Sequence, residues 1–208
     1  MLMRRLIPKL QLKSRQIGNS RRMVLVTTTK FGAVTEIGDP VSQAKIYEDQ
    51  AADELILVDL DATAESRLIM PALVERIANE ICMPLTVGGG VRTIEDIRTL
   101  LQSGADKVAV NSAAHKTPEL ITEASRMFGN QCVVVSIDYR QAPDGRYQVW
   151  TEAGTHPTGI DPVSYALRCE AAGAGEILLT SIDRDGTRQG LDTSLTRQLT
   201  QRLTIPVV

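Results

Sequence analysis

Two stretches of the sequence decide the fold, because one repeats the other: DPVSQAKIYEDQAADELIL (39–57) and DPVSYALRCEAAGAGEILL (161–179). They are identical at nine aligned positions, all at a constant offset of 122 residues. Asp61 recurs as Asp183 at the same offset. Chance identity over so short a window is far lower, so we infer an internal repeat.

Short apolar runs alternate with longer helical patterns along the chain. The predicted strands cover residues 6–12, 54–60, 84–90, 107–111, 132–138 and 176–182. The predicted helices cover residues 40–52, 67–81, 93–104, 117–129, 161–173 and 194–203. An Asp-Gly turn with flanking alternation predicts a β-hairpin within 143–154. Nearly continuous apolar strands alternating with helices indicate a parallel sheet covered on both faces.

The repeat indicates how these elements form one domain. The first copy spans about residues 1–129 and the second about 130–208. Two copies of four strand–helix units, in about 250 residues, are typical of a (β/α)8 TIM barrel. We therefore predict an α/β fold, a single (β/α)8 TIM barrel built from two half-barrel repeats. At the repeat offset, the final LTIPVV (203–208) stops just before a counterpart of residues 87–90, so we expect this barrel to be incomplete, truncated within strand seven.

Composition and charge argue against several classes of function. The formal net charge is −2 and there is no basic tract, so we expect no nucleic-acid partner. No apolar run approaches the ~20 residues of a spanning helix. The apolar stretch at the N-terminus is too short for a signal peptide, so we predict a cytoplasmic protein that does not bind membranes. His115 and His156 have no partner at metal-ligand spacing, so we expect no metal site.

Three groups of residues follow predicted strands, at the edge where (β/α)8 enzymes keep their active sites. Gly88-Gly89-Gly90 allows backbone N–H groups to approach an anion, close to the positive end of the next helix. Asn111-Ser112 can donate further hydrogen bonds, and the segment DRDGT (183–187) is the third group. We interpret them as sites for a substrate with two phosphates. For the glycine triplet alone, a bare tight turn is an equal alternative.

Aspartates at the same edge are candidates for acid–base catalysis. Asp138 ends the apolar run 132–138, which would deliver its carboxylate to the edge as a general acid or base. The alternative is an aspartate that caps a loop. The other candidates are Asp59, Asp61, Asp183 and Asp185.

Charged residues mark the opposite ends of the predicted strands. Arg5 precedes the first strand, and three other strands begin with a charge, so the four residues can form a ring. Spacing alone favours structural salt bridges for this ring. The three strand-initial charges are Glu54, Lys107 and Glu176.

Six segments resemble signatures of one family, and the resemblance covers essentially the whole chain. They are DELILVDLDAT (53–63), PLTVGGGVRTIEDI (84–97), GADKVAVNSAA (104–114), PELITEASRMFG (118–129), GAGEILLTSIDRDGT (173–187) and the Ile-Pro of TIPVV (204–208). The family is the cyclase subunit of imidazole glycerol phosphate synthase, which implies a (β/α)8 barrel with two half-barrel repeats, acting in histidine biosynthesis.

The resemblance also implies a partner and a reaction. The partner is a glutaminase (amidotransferase) subunit in a heterodimer, whose ammonia passes through the barrel. The substrate is a bis-phosphorylated ribulosyl intermediate, and the products are imidazole glycerol phosphate and an aminoimidazole carboxamide ribotide. We expect no cofactor.

The resemblance assigns roles to individual residues. It makes Asp138 one of two catalytic aspartates. It assigns Gly90 and Asn111 to one phosphate site, to which we add their neighbours Gly89 and Ser112. It assigns Asp185 and Gly186 to the other phosphate site. The charged gate for ammonia matches Arg5, Glu54, Lys107 and Glu176.

Two departures from the family bear on function. Gln11 stands where the family carries its other catalytic aspartate, and a glutamine has no titratable proton near neutral pH. The first loop (13–38) is longer, with Thr27 in place of a family lysine and Lys30 nearby. Gln11 also resembles a paralogous branch associated with amidation of sugars for surface polysaccharides. A third hypothesis is a non-catalytic subunit that conducts ammonia or docks a glutaminase.

Overall fold

The fold is described for residues 5–18 and 20–208 by a computed structural model, apart from the side chain of Ile17. Residues 1–4, with which the N-terminal stretch begins, lie outside this description. The chain packs into two units. The first comprises the stretch up to Thr27 with Thr35–Val91 and Glu95–Val108. The second comprises Thr28–Val34, Arg92–Ile94 and Ala109–Val208.

Strands and helices alternate as the apolar periodicity predicts, so the α/β class is confirmed. The strands are β1 Lys9–Ile17, β2 Ser20–Thr29, β3 Ala33–Gly38, β4 Leu55–Asp59, β5 Leu85–Gly88, β6 Lys107–Val110, β7 Val133–Gln141, β8 Tyr147–Thr151, β9 His156–Pro157 and β10 Glu176–Ser181. The helices are α1 Pro40–Asp49, α2 Pro71–Ala78, α3 Ile94–Gln102, α4 Ser112–Lys116, α5 Glu119–Phe128, α6 Pro162–Ala171 and α7 Thr193–Thr200, with a 3-10 turn at Asn130–Cys132. The described residues include no helix with the length and hydropathy that a bilayer span requires.

The first unit is built around parallel strands that are buried on both faces. Its strand order is β3-β2-β1-β4-β5, with β1 parallel to β4 and β4 parallel to β5. Leu55, Leu57 and Val87 are fully buried, as nearly continuous apolar strands require. Asp106 leads into β6 and exchanges two hydrogen bonds with Leu85 of β5: its carboxylate accepts the Leu85 N–H at 2.8 Å, and its own N–H donates back at 2.9 Å.

The second unit is organised around β7. This strand is parallel to β10 on one side and antiparallel to β8 on the other, and β8 pairs with β9. The Asp-Gly turn of the β-hairpin predicted within 143–154 is confirmed, with Gly145 at a φ of +83°, but the first strand of the hairpin is the end of β7, before residue 143. The final residues are extended beside β10, where the Ile177 N–H donates to the Pro206 carbonyl at 2.9 Å.

The prediction of a long first loop over 13–38 is wrong, because most of it is sheet. Strand β1 runs on to Ile17 and turns back into antiparallel β2, whose apolar run 23–26 is buried. The Gly-Asn dipeptide at 18–19 is a two-residue hairpin signal that the interpretation as an insertion overlooked. Strand β3 then adds an exposed edge.

Helix starts recur at the repeat offset. The Asp39 carboxylate accepts the Ser42 N–H at 3.0 Å at the start of α1, and the Asp161 carboxylate accepts the Ser164 N–H at 2.8 Å at the start of α6. Both helices also begin with proline, which suits the first helical turn. The repeated Asp-Pro-x-Ser is therefore a capping signal in both units.

Two glutamates at the repeat offset make matching long-range contacts. Each carboxylate accepts two consecutive backbone N–H groups that lie more than thirty residues away along the chain. These donors are Cys82 and Met83 for Glu48 (3.1 Å each), and Thr204 and Ile205 for Glu170 (2.7 and 3.1 Å). The identity at this position thus has a shared structural cause, since each glutamate fixes the entry to a strand.

Candidate active site

Asp138 and Asn111 form the centre of the candidate site in the second unit. Asp138 lies in β7 and is only 8% exposed, between Thr180 of β10 and Trp150 of β8. Asn111 follows β6 directly, and its Nδ2 donates to Asp138 Oδ2 at 2.8 Å. An amide donor fixes the orientation of a carboxylate without neutralising its charge. The sequence predicted both residues, and the structure brings them together.

Ser112 lies beside this pair at the start of α4. Its hydroxyl oxygen accepts the Glu152 N–H at 3.0 Å, which ties α4 to the end of β8. An ion pair of 2.5 Å between Lys116 and Glu152 supports the same connection. Helix α4, which the sequence did not predict, is a single short turn that fixes the residues after β6.

The glycines of the loop after β5 are required by the packing of the first unit. Gly89 and Gly90 have φ angles of +126° and +71°. A Cβ on Gly90 would lie 1.8 Å from the Arg67 carbonyl oxygen, and one on Gly89 would lie 2.8 Å from the Asp59 Cβ. The tight turn therefore accounts for both glycines by itself. Phosphate binding by this loop stays a prediction.

Arg67, which the sequence reasoning missed, holds this loop through Asp59. The carboxylate of Asp59 has no exposed surface, and Arg67 contacts both of its oxygens, one of them at 3.2 Å. Burial raises the pKa of Asp59 above its usual value, against the opposite effect of Arg67. The predicted helix 67–81 begins at Pro71 instead, so Arg67 lies in the preceding loop.

Asp185 and Gly186 pack against the turn between β2 and β3. The Thr28 hydroxyl donates to the Asp185 carboxylate, and the Lys30 N–H donates to the Asp185 carbonyl at 2.9 Å. Gly186 has a φ of +66°, and a Cβ there would lie 1.9 Å from the Thr28 carbonyl oxygen. The exposed Thr27 is one position away, so Thr28 makes the contact with the DRDGT segment.

Asp61 and Asp183 cap the extended ends of two strands. The Asp61 carboxylate accepts the Ser14 N–H at 2.8 Å, and the Asp183 carboxylate accepts the Gln141 N–H at 3.0 Å. Burial raises the pKa of Asp61, but the ion pair with Lys13 at 2.9 Å and the Ser14 bonds hold that pKa below its usual value. Both carboxylates are therefore engaged by backbone N–H groups of a strand.

Gln11 occupies a register position in β1 that corresponds to that of Asp138 in β7. It is 7% exposed and pairs with Val58 of β4, whereas Asp138 pairs with Thr180 of β10. Val58 and Thr180 are related by the repeat offset. The buried amide of Gln11 thus lies where the other unit holds a carboxylate.

Three of the four charges predicted for a ring meet in the first unit. Glu54 is 7% exposed, forms an ion pair with Arg5, and accepts from Lys107 Nζ at 2.8 Å. Glu176 begins β10 in the second unit and is 6% exposed. The described residues contain no cluster of three His, Cys, Asp or Glu side chains able to hold a metal ion.

Comparison with known proteins identifies the family. The family model described as histidine biosynthesis protein matches residues 5–208. Imidazole glycerol phosphate synthase subunit HisF from Alkaliphilus metalliredigens (strain QYMF) is 43% identical over 208 residues, which are the whole of this chain and 79% of that relative. The chain belongs to the histidine biosynthesis protein family. The resemblance to the cyclase subunit of imidazole glycerol phosphate synthase is thereby confirmed.

In this member of the histidine biosynthesis protein family, the sequence reasoning also missed Arg140 and Trp150. The guanidinium Cζ of Arg140 lies 4.7 Å from the centroid of the Trp150 ring. Trp150 is the only tryptophan in the chain. It lies in β8, directly opposite Asp138 of β7. The single tryptophan and its place in the predicted hairpin were the features of the sequence that pointed to this contact.

Proposed function

We propose that this chain is a cyclase subunit of imidazole glycerol phosphate synthase. It takes ammonia from a glutaminase subunit in a heterodimer and adds it to a bis-phosphorylated ribulosyl intermediate. The products are imidazole glycerol phosphate and aminoimidazole carboxamide ribotide. The identity to HisF supports the assignment, and the buried Asp138 carboxylate held by Asn111 is the observation that carries the chemistry.

The proposed scaffold is a (β/α)8 barrel of two half-barrel repeats. The matching helix caps at Asp39 and Asp161 and the matching carboxylate contacts of Glu48 and Glu170 support this proposal. Active sites of such barrels lie at the C-terminal ends of the strands. That edge is where Asn111 follows β6.

In the proposed mechanism Asp138 acts as the general acid or base. A carboxylate in a site from which water is largely excluded can take a proton from the attacking ammonia and return it to a leaving oxygen. The Asn111 amide holds the carboxylate in position, so that it does not rotate away from the substrate. Ser112 fixes Asn111 in turn through its bond to β8.

Two phosphate sites are proposed to hold the ends of the substrate. Backbone N–H groups in left-handed glycine turns converge on anions, which suits the loops after β5 and β10. The first site is assigned to Gly89, Gly90, Asn111 and Ser112. The second is assigned to Asp185 and Gly186, whose loop is already fixed by Thr28.

The proposed ammonia gate is the set Arg5, Glu54, Lys107 and Glu176. Glu54 is nearly buried between two cations, so it stays paired if one of them moves away but would become an unpaired buried charge if both did. We infer that the gate opens by movement of one cation rather than by loss of both pairs. If Lys107→Ala leaves stimulation of the partner glutaminase unchanged, the gate assignment fails.

Gln11 favours a second candidate function, in which the chain serves amidation of a surface-polysaccharide sugar. The Gln11 side chain is buried at the position in β1 that corresponds to Asp138 in β7, and it cannot transfer a proton. A glutamine there can hold a sugar hydroxyl or a substrate carbonyl by hydrogen bonds. Neighbouring surface-polysaccharide genes would support this candidate, and a histidine operon would refute it.

The test of the proposed function is product release. The protein is incubated with ammonium and the bis-phosphorylated ribulosyl intermediate, and imidazole glycerol phosphate is quantified by chromatography. We expect release above a control without protein. Release at background level would reject the cyclase assignment. If the protein stimulates a partner glutaminase in a separate assay but forms no imidazole glycerol phosphate, the favoured function is a subunit that only conducts ammonia or docks the glutaminase.

A further inference from the structure

Three arginines line one cleft in the first unit. Strand β2, the start of α1 and helix α2 border this cleft, which has a volume of about 380 Å³. That volume falls within the range of small-molecule sites. Arg21 and Arg22 enter it from β2, and Arg76 enters it from α2. Among the described residues that line the cleft, Asp39 is the only carboxylate, so its formal charge is +2, although the chain as a whole carries −2.

The floor of the cleft is apolar. Met23 of β2 and Leu73 of α2 line it and are each only 6% exposed, and Pro40 at the start of α1 is also buried. An apolar group that covers this floor removes apolar surface from water, which favours binding. The cleft therefore suits a ligand with an apolar body and a negatively charged end.

The two arginines of β2 have only weak ion pairs. Arg22 contacts Asp39 at 3.4 Å, although that carboxylate already caps α1. Arg21 contacts Glu65 at 3.1 Å, and Glu65 is shared with Arg67 at 2.5 Å. The side chains of Arg21 and Arg22 are 45% and 62% exposed, so a ligand can reach them. Exposed pairs of this kind contribute little to stability, so an anionic ligand can replace them.

Arg76 and the start of α2 supply further donors. Arg76 is exposed, and no carboxylate in the described ranges forms a salt bridge with it, since Glu80 on the next turn is paired with Lys45 at 2.8 Å. Helix α2 begins at Pro71 without a side-chain cap, so its first N–H belongs to Ala72, which lines the cleft. Ala72 and Arg76 are four residues apart and lie on one face of the helix. The positive end of α2 thus adds to the arginine charge at the cleft.

We propose that this cleft binds a phosphate monoester that has an apolar body. The phosphoryl oxygens accept hydrogen bonds from Arg21, Arg22 and Arg76, whose planar forks suit bidentate binding of phosphate. The apolar body covers Met23 and Leu73. A phosphate monoester carries a charge close to −2 at neutral pH, which matches the cleft better than a single carboxylate does. The site shares no residue with the proposed cyclase site, so it goes beyond the proposed function and the two proposals can fail independently.

Isothermal titration calorimetry with three probes tests the proposal. The probes are phenyl phosphate, inorganic phosphate and phenol. We expect phenyl phosphate to bind most tightly, because it alone offers both the charge and the apolar body. Arg76→Gln should weaken its binding about tenfold to a hundredfold, as loss of a charge-assisted bond does. Arg98→Gln is the matched control, because Arg98 is an exposed arginine of the same unit, paired with Glu95 at 3.2 Å, and it should bind as wild type does.

Two further measurements separate recognition from folding. Arg76→Lys keeps the charge but loses the fork, so its binding should lie between that of wild type and Arg76→Gln. Because Arg76 is exposed, both variants should unfold at the urea concentration that unfolds wild type. Phenyl phosphate binding that is the same in all variants belongs to other sites, including those proposed for the substrate.

Three outcomes would overturn the proposal. The first is that Arg76→Gln binds phenyl phosphate as tightly as wild type does. The second is that Arg98→Gln loses as much binding as Arg76→Gln, which would show an effect of overall charge. The third is that a peptide of four glutamates binds more tightly than phenyl phosphate, which would make the cleft a site for acidic peptides. Failure of the proposed function is seen separately, as absent imidazole glycerol phosphate while phenyl phosphate binding still depends on Arg76.

Discussion

Strands β1 and β7 are built alike in the two units, but one carries Gln11 where the other carries Asp138. Each strand runs on into an antiparallel hairpin, and each hairpin is held by an aspartate, Asp61 or Asp183, at the repeat offset. The backbone contacts recur, whereas the residue able to transfer a proton does not. The comparison teaches that the repeat preserves the backbone contacts, whereas the titratable side chain to which we assign proton transfer is present in one unit alone.

The largest expected loss of stability comes from replacing two glycines, one in each unit. Gly90 and Gly186 each have a left-handed φ, and a Cβ would lie 1.8 Å from a backbone oxygen at Gly90 and 1.9 Å from one at Gly186. Alanine at either site should lower the free energy of unfolding by about 2–5 kcal/mol, since strain costs about 1–2 kcal/mol and overpacking a further 1–3. Urea unfolding followed by circular dichroism measures this loss.

Gly190 is the matched control for these glycines. Its φ is +80°, but nothing lies within 4 Å of where a Cβ would be. Gly190→Ala should therefore cost only the strain, about 1–2 kcal/mol. If all three variants lose the same free energy of unfolding, the close backbone oxygens at Gly90 and Gly186 are not the cause of the loss.

Replacing Glu48 or Glu170 should give the next largest loss of stability. Each accepts two backbone N–H groups, so replacement by alanine should cost about 1–3 kcal/mol in either unit. Glu119→Ala, at the exposed start of α5, is the control and should change stability by less than about 0.5 kcal/mol. If only one of the two variants is destabilised, the two contacts are not energetically equivalent.

The smallest effect concerns pH. Burial raises the pKa of Glu170, but its bonds from Thr204 and Ile205 hold that pKa below the ordinary 4.5. Its contribution to stability is therefore present above pH 4.5 and is lost as the pH falls through the lower, folded-state pKa. Glu170→Gln should reduce the dependence of stability on pH below 4.5, as measured by urea unfolding at pH 3 to 6. An unchanged dependence would contradict this assignment.

The local elements of the fold were predictable from the sequence, because their signals are local. The repeat at 122 residues and the apolar strands were enough to predict most helices and strands. The β1–β2 hairpin was missed because residues 13–38 were interpreted as an insertion, although the run at 23–26 is typical of a strand. Helix α2 was predicted to start too early, because Pro71 was not used as a first-turn signal.

The candidate site was predictable only in part. Asp138 and Asn111 follow apolar strands, so their position at one edge could be expected, and they are 2.8 Å apart. Contacts such as that between Thr28 and Asp185 join residues 157 positions apart. Arg67 and Arg140 act through contacts with Asp59 and Trp150 that depend on the packing of loops and side chains, and no spacing in the sequence encodes them.

The central claim is that Asp138 transfers the proton while Gln11 does not. The most direct measurement compares ammonia-dependent formation of imidazole glycerol phosphate by wild type, Asp138→Asn and Gln11→Asp, with Asp144→Asn as an exposed control. We expect Asp138→Asn to lower kcat by about 10²–10⁴ and Gln11→Asp to raise it, since it adds a second titratable group. Wild-type turnover in Asp138→Asn, with Asp144→Asn unchanged, would contradict the account.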